Sequence, residues 1–253
     1  MKRTKYFVTT AFLILSVGGM HPDAGAVTLI SACTTITTPG SYILTRNLVA
    51  AGDCLVVAAD FVTIDLAGHM IRGNKTGIGI QDSGLRKGIA IHNGTITNFS
   101  AGLRICGQGS IQILVERMRV IDNVNDGIAL CDGMAIVKDS ISSGNSQGIF
   151  VGPRSVVRST TTSNNASLGI QAGLGSTIIG NTADENGNSG LSILEGSTIM
   201  NNSVRGNAQF GLVVTCPSNV LGNTLTANGP GGTTNLTPQG TGVCNVEHNV
   251  VSP

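Results

Sequence analysis

The sequence has no tryptophan, two tyrosines and six phenylalanines in 253 residues. Aromatic residues make up 3% of it and charged residues 11%. So few rings exclude the core of an ordinary globular domain, and the charge falls well short of the roughly 25% usual in soluble domains. Low charge does not make this a membrane-spanning chain. Beyond the N-terminal segment no apolar run approaches the ~18 residues that a spanning helix needs. A net charge of +1 removes bulk electrostatics as a basis for binding nucleic acid. No C-x-x-C spacing occurs among the six cysteines, which argues against structural zinc.

What the chain has in abundance is glycine, 35 residues of it, arranged as a repeat. A glycine followed by a branched apolar residue recurs at Gly127-Ile128, Gly148-Ile149, Gly169-Ile170, Gly190-Leu191 and Gly211-Leu212, each 21 residues after the last. Gly232 extends the series, and Gly77-Ile78 and Gly102-Leu103 precede it in steps of 25. One residue after the glycines stand Leu103, Ile128, Ile149, Ile170, Leu191 and Leu212. Three residues after them stand Ile105, Leu130, Val151, Ala172, Ile193 and Val214. Period-two alternation puts both series on one buried face. Twelve residues before the glycines, Val115, Ile136, Val157, Ile178, Ile199 and Val220 form a third apolar column.

Two polar columns accompany them. Asn98, Asn123, Asn165, Asn186, Asn207 and Asn228 stand four residues before the glycines, with Gly144 breaking the series. Asn93, Asp139, Thr160, Asn181, Asn202 and Asn223 stand nine before, interrupted by Met118. Stacked amides hydrogen-bond along a column, and asparagine and glycine tolerate the left-handed conformation of sharp bends. Glycine, asparagine and β-branched residues at this density disfavour helix. A unit of 21 residues at ~3.3 Å each traces about 70 Å, which suits three parallel strands joined by short corners. The expected fold is all-β, a right-handed parallel β-helix of about nine turns spanning residues 55–232, with caps at 27–54 and 233–253.

Lys2, Arg3 and Lys5 precede a mostly apolar stretch from Tyr6 to Met20, and Ala24-Gly25-Ala26 has the small-x-small form of a cleavage site. Residues 1–26 thus read as a secretory signal peptide, which predicts a secreted or periplasmic chain with no membrane span after cleavage. An oxidising compartment agrees with three disulfides, predicted as Cys33–Cys54, Cys106–Cys131 and Cys216–Cys244. The central pair carries a specific argument. Cys106 and Cys131 each lie four residues after a repeat glycine, hence on adjacent turns at about the 4.8 Å strand spacing, within disulfide reach.

The G-[IL]-x-[ILV] pattern with N-x-x-x-x-N upstream, as in NTADENGNSGLSIL and NSVRGNAQFGLVV, resembles the bacterial parallel β-helix repeat proteins of the pectate-lyase-like superfamily. That group includes the NosD-like proteins and the carbohydrate-binding and sugar-hydrolase repeats. The segment GSYILTRNLVAAGDCLVVAADFVTIDLAGHMIRGN resembles the first turns of many exported proteins of this type. The resemblance implies fold more than activity, because its motif consists of structural positions.

Activity has to be sought in a site. The N-T-D, D-D, G-H-G and R-I-K motifs of pectin hydrolases are absent, as is the R-x-P-x-x-R of pectate lyases. The D-P-H of alginate epimerases has no match beyond His21-Pro22-Asp23 in the leader. One constellation remains. His92, Arg117 and Lys138 stand ten residues before successive glycines and are expected to stack as a basic stripe, with Asp122, Asp126 and Asp132 on neighbouring phases. Such a stripe fits an acidic glycan, with a basic residue taking a proton alpha to a uronate carboxylate; a solvated face of weak ion pairs is the plainer reading.

His69, His92 and His248 occupy different phases and the methionines are scattered, so neither a metal nor another cofactor is expected. The functional expectation is an exported β-helix that binds a polysaccharide or cell-envelope component, or serves a structural role there. The alternative is a polysaccharide lyase, hydrolase or epimerase acting on acidic glycans.

Overall fold

The computed structural model describes residues 26–232 and 234–253; the expected leader lies outside them, apart from Ala26. The chain coils in parallel turns. Each full turn gives one strand to a ten-strand sheet and, after a corner, either two short strands or, at Ala90–Thr97 and Leu114–Ile121, one eight-residue strand to a nineteen-strand sheet. Ser189–Ile193, Thr198–Met200 and Ser203–Arg205 form one such turn, and Phe210–Thr215 begins the next. Register follows the repeat, since Leu191, Ser192 and Ile193 pair with Leu212, Val213 and Val214. Equal turns stack like on like, so each inward column continues unbroken from turn to turn.

Ten strands in the first sheet make ten turns, one more than expected. The extra turn comes from the ends, because segments 27–54 and 233–253 contribute strands that pair in register with the coil. The two glycine-linked apolar columns are buried throughout. The third column is Val115, Val137, Val157, Ile178, Ile199 and Val220. Ile136, expected there, is 40% exposed.

The asparagine columns are more complete than expected. In the first, each asparagine carboxamide oxygen accepts from the backbone N–H one turn before it, and its amide nitrogen donates to the next asparagine. Asn145 fills the supposed gap at Gly144 and continues the run from Asn123 through Asn165, Asn186, Asn207 and Asn228 to Asn235. In the second column Ser140 replaces the expected Asp139, and the run ends Thr160, Asn181, Asn202, Asn223, Asn249. Asn98 and Asn93 stand outside the columns; their neighbours Phe99 and Gly94 occupy those positions. The errors share one cause. In the turns ending at Gly102 and Gly148 the segment between corner and glycine is one residue shorter than elsewhere, so counting back from the glycine overshoots by one.

The left-handed backbone falls on the residue before each member of the first column from Asn123 to Asn228. Asp122, Gly144, Asn164, Glu185, Gly206 and Ala227 all have φ between 53° and 69°. The repeat glycines serve a different need. A Cβ on Gly169 would lie 2.5 Å from the Gly190 carbonyl oxygen and 2.8 Å from the Asn186 amide nitrogen. Glycine is required there because the next turn and its asparagine press against the backbone. By the same contact Gly79, not Gly77, precedes Gly102, and Asn235, not Gly232, follows Gly211.

The three expected disulfides are present. Cys33–Cys54, Cys106–Cys131 and Cys216–Cys244 join adjacent turns with Cα–Cα distances of 4.4, 4.8 and 5.0 Å.

Candidate functional site

The structure divides the sequence-predicted residues between two faces. On the outer face of the nineteen-strand sheet, register aligns Asp65, His92, Glu116, Lys138 and Arg158. The residue between His92 and Lys138 is therefore Glu116, and Arg117 is displaced onto a bend with φ 50°. What counting reads as a basic stripe is a ladder of paired charges. Glu116 takes Lys138 Nζ on one carboxylate oxygen and Arg117 Nη2 on the other at 2.8 Å. Arg117 Nε also donates to Asn93 Oδ1 at 2.6 Å, and Asn93 Nδ2 donates to Asp65 Oδ1 at 3.2 Å. His92 Nδ1 lies 2.9 Å from that amide nitrogen and 3.6 Å from Asp65 Oδ1. The hydrogen bond from Lys138 is the chief cause holding the Glu116 carboxyl below the usual range. With Arg117 and Lys138 engaged by Glu116, the ladder from Asp65 to Lys138 holds its own side chains in place more than it offers them to a ligand; Arg158, at its end, has no such partner among the described residues.

Asp122 and Asp126 do not join it. Asp122 sits at a left-handed bend, where its backbone oxygen accepts from Lys75 Nζ at 2.8 Å. Asp132 accepts from the Ser110 backbone N–H at 3.2 Å. Asp126 begins a strand of the ten-strand sheet and lines an open cleft of 490 Å³ with Asp53, Ser100, Arg104 and Asn125. A second recess, of 320 Å³, shares Ile78 and Arg104 with the first. The two flank the Arg104 side chain from opposite ends of its strand.

The sheet's alternation dictates this arrangement. Leu103 and Ile105 point inward, so Arg104 points out, in register between Gln81 and Ala129. Asp53 is held firmly: its Oδ1 accepts from the Ile78 backbone N–H at 2.8 Å and its Oδ2 from Gln81 Nε2 at 2.6 Å. Asn125 Nδ2 donates to Ser100 Oγ at 3.0 Å. Arg104 is exposed, and its guanidinium makes no hydrogen bond to any of the described residues. Burial pushes the half-buried Asp126 carboxyl above its ordinary range, while the Arg104 charge pulls the other way. A guanidinium with no hydrogen-bonded protein partner presents its planar fork to a carboxylate or to vicinal oxygens. Asp126 places a carboxyl at its edge.

Counting residues misses Arg104 and Asp53, which belong to no regular column. A lone arginine between two core positions of a glycine repeat is the signal that marks the first. Asp82, lining the second recess, is spent on structure, accepting from the Cys106 and Gly107 backbone N–H groups and Ser110 Oγ. No cluster of three or more His, Cys, Asp or Glu able to hold a metal ion occurs among the described residues, and no helix among them is long and apolar enough to cross a membrane.

Residues 152–251 match a family model described as a right handed beta helix region. Among solved structures, the mannuronan C-5 epimerase AlgE4 A-module of Azotobacter vinelandii is 14% identical, with a TM-score of 0.69 over 89% of this chain and 76% of that one. The Dettilon tailspike protein is 16% identical, with a TM-score of 0.70 over 90% of this chain and 55% of its own. An alginate lyase from Paenibacillus sp. is 11% identical, with a TM-score of 0.56 over 88% of this chain and 99% of that one. The search of curated proteins found no significant match. Similarity at these identities is similarity of fold: this chain is a right-handed parallel β-helix.

Proposed function

We propose that this β-helix is an exported glycan-binding protein that holds an acidic polysaccharide across the ten-strand sheet, with Arg104 as the anchor for a sugar carboxylate. The observation that carries the reading is the free Arg104 guanidinium, standing between two recesses and flanked by the fixed Asp53 and the half-buried Asp126. Fixed carboxylates and amides at the rim supply hydrogen bonds to hydroxyls. Neighbours of this fold whose names specify alginate or mannuronan chemistry support the choice of ligand class. Export rests on the leader pattern and the three disulfides.

Titration of alginate and polygalacturonate into the mature protein tests it. A hydrogen bond to a charged group contributes about 1.5–3 kcal/mol, so Arg104→Ala is expected to weaken binding at least tenfold. Unchanged affinity in that variant overturns the reading. Arg117→Ala and Lys138→Ala test the ladder on the other face, and undiminished binding in both disposes of it as a glycan site.

The second reading, a polysaccharide lyase, hydrolase or epimerase, draws on the raised Asp126 carboxyl beside Arg104, a pairing suited to proton transfer. Unsaturated uronate ends, new reducing ends or an altered uronate ratio after incubation would establish it. A native protein that binds without changing the polymer supports the binding role.

A further inference from the structure

The outer face of the nineteen-strand sheet carries a pattern that neither core nor cleft uses. In the turn containing Ile136–Lys138 and Ile141–Ser143, the outward positions include Ile136, Lys138 and Ile141. The preceding turn sets Arg119 beside Ile141, and the following turn sets Val156 beside Ile136 and Arg158 beside Lys138. Ile136 and Ile141 are 40% and 38% exposed, and Met134, just before that strand, is 42% exposed. The column of Lys138 and Arg158, between those of Ile136 and Ile141, continues through the half-buried Ile179, Met200 and Leu221. The column headed by Ile141 continues instead as Thr161, Thr182, Ser203 and Thr224 over the following turns. Small hydroxyls thus suffice on this sheet, and the aliphatic column departs from them.

The charges on this face are unbalanced. Segments 114–121, 136–143 and 156–163, each strand with the bends inside it, hold Arg117, Arg119, Lys138 and Arg158 against Glu116 and Asp139. Glu116 is already taken by Lys138 and Arg117. Arg119 and Arg158 are exposed and have no acidic partner among the described residues.

We propose that this face docks the protein onto an anionic lipid surface, with the aliphatic column against the interface and Arg119 and Arg158 on the headgroups. Three observations select that partner. Excess positive charge calls for an anion. Exposed isoleucines beside the arginines call for one that also offers apolar surface, which a soluble polyanion lacks. A second copy presenting the same face would set like charges together. From Lys138 to Leu221 the row crosses five turns, about 19 Å at the strand spacing, and lies along a sheet rather than in a groove, matching a surface rather than a peptide.

Flotation of the mature protein with vesicles tests it. One set is pure phosphatidylcholine, and the other contains about one-third phosphatidylglycerol. Binding is expected to the second set alone and to fall as salt rises, because screening at physiological strength acts over about 8 Å. Each basic side chain near such a surface contributes about fivefold, so reversing one, as in Arg158→Glu, is expected to weaken binding about thirtyfold. Ile136→Asn with Ile141→Asn is expected to weaken it at least threefold through lost apolar contact. Arg119→Gln, followed together with circular dichroism, separates loss of contact from loss of fold. Failure to bind the anionic vesicles overturns the proposal. So does wild-type affinity in the double asparagine variant, which would mark a site for polyanions instead.

Discussion

Asn186 lies at the middle of the longer asparagine column and is buried. Its Oδ1 accepts from the Asn165 backbone N–H at 3.2 Å and from Asn165 Nδ2 at 2.9 Å. Its own Nδ2 donates to the Thr162 carbonyl at 3.2 Å and to Asn207 Oδ1 at 2.9 Å. Replacement by alanine removes all four bonds. Asn165 Nδ2 keeps the Ser142 carbonyl, and Asn207 Oδ1 keeps the residue-186 backbone N–H. The Asn165 N–H keeps nothing. A buried donor left without a partner costs about 1–3 kcal/mol, and each ordinary bond lost about 1 kcal/mol. With three ordinary bonds lost besides the orphaned donor, Asn186→Ala is therefore expected to destabilise the coil by about 4–6 kcal/mol.

Asn186→Asp should fare no better, because a carboxylate oxygen would then face the Thr162 carbonyl and Asn207 Oδ1, which are both acceptors. Asn201→Ala is the control: it is an exposed residue at a left-handed bend outside both columns, and its loss is expected to cost under 1 kcal/mol. Urea unfolding with tyrosine fluorescence or circular dichroism reads all three. Native hydrogen exchange should show loss of protection concentrated at residues 165 and 186, since each turn of a solenoid contacts only its neighbours. A cost below 1 kcal/mol for Asn186→Ala would refute the view that the column satisfies the corner amides.

Two further predictions concern packing and charge. Gly169→Ala is expected to cost about 2–3 kcal/mol by overpacking against the Gly190 carbonyl. Gly180→Ala, at φ +64° with nothing within 4 Å, meets only the left-handed penalty of about 1–2 kcal/mol; finding Gly180→Ala the more harmful in urea would invert the assignment of roles. The two perturbed carboxyls should give pH slopes of opposite sign. Glu116 is depressed chiefly by Lys138, so its contribution is complete above the ordinary glutamate range and is lost as pH falls through its folded value. Lys138→Met should reduce that acid-side loss, leaving the smaller part due to Arg117 and His92. Asp126 is raised chiefly by burial, so the native state loses stability as pH rises from the ordinary aspartate range through the folded value. Asp126→Asn is expected to raise the thermal midpoint at neutral pH and to give no gain below about pH 4. A gain that grows on acidification would contradict this.

The 21-residue recurrence of glycine and branched residues determined the architecture by itself, since period-two burial stacked on a fixed repeat leaves little choice but parallel turns. It also placed Cys106 opposite Cys131 and marked two asparagine columns. Tertiary structure decided the phase within each turn. A corner one residue shorter before Gly102 and Gly148 moved Val137, Ser140 and Asn145 into the columns and set Glu116 between His92 and Lys138. A single-residue slip in a strand exchanges inward for outward side chains, so counting from a distant glycine cannot fix the charge order on the surface. The Arg104 cleft was equally out of reach. Its lining residues come from four successive turns, and no linear spacing records which of them face the same solvent.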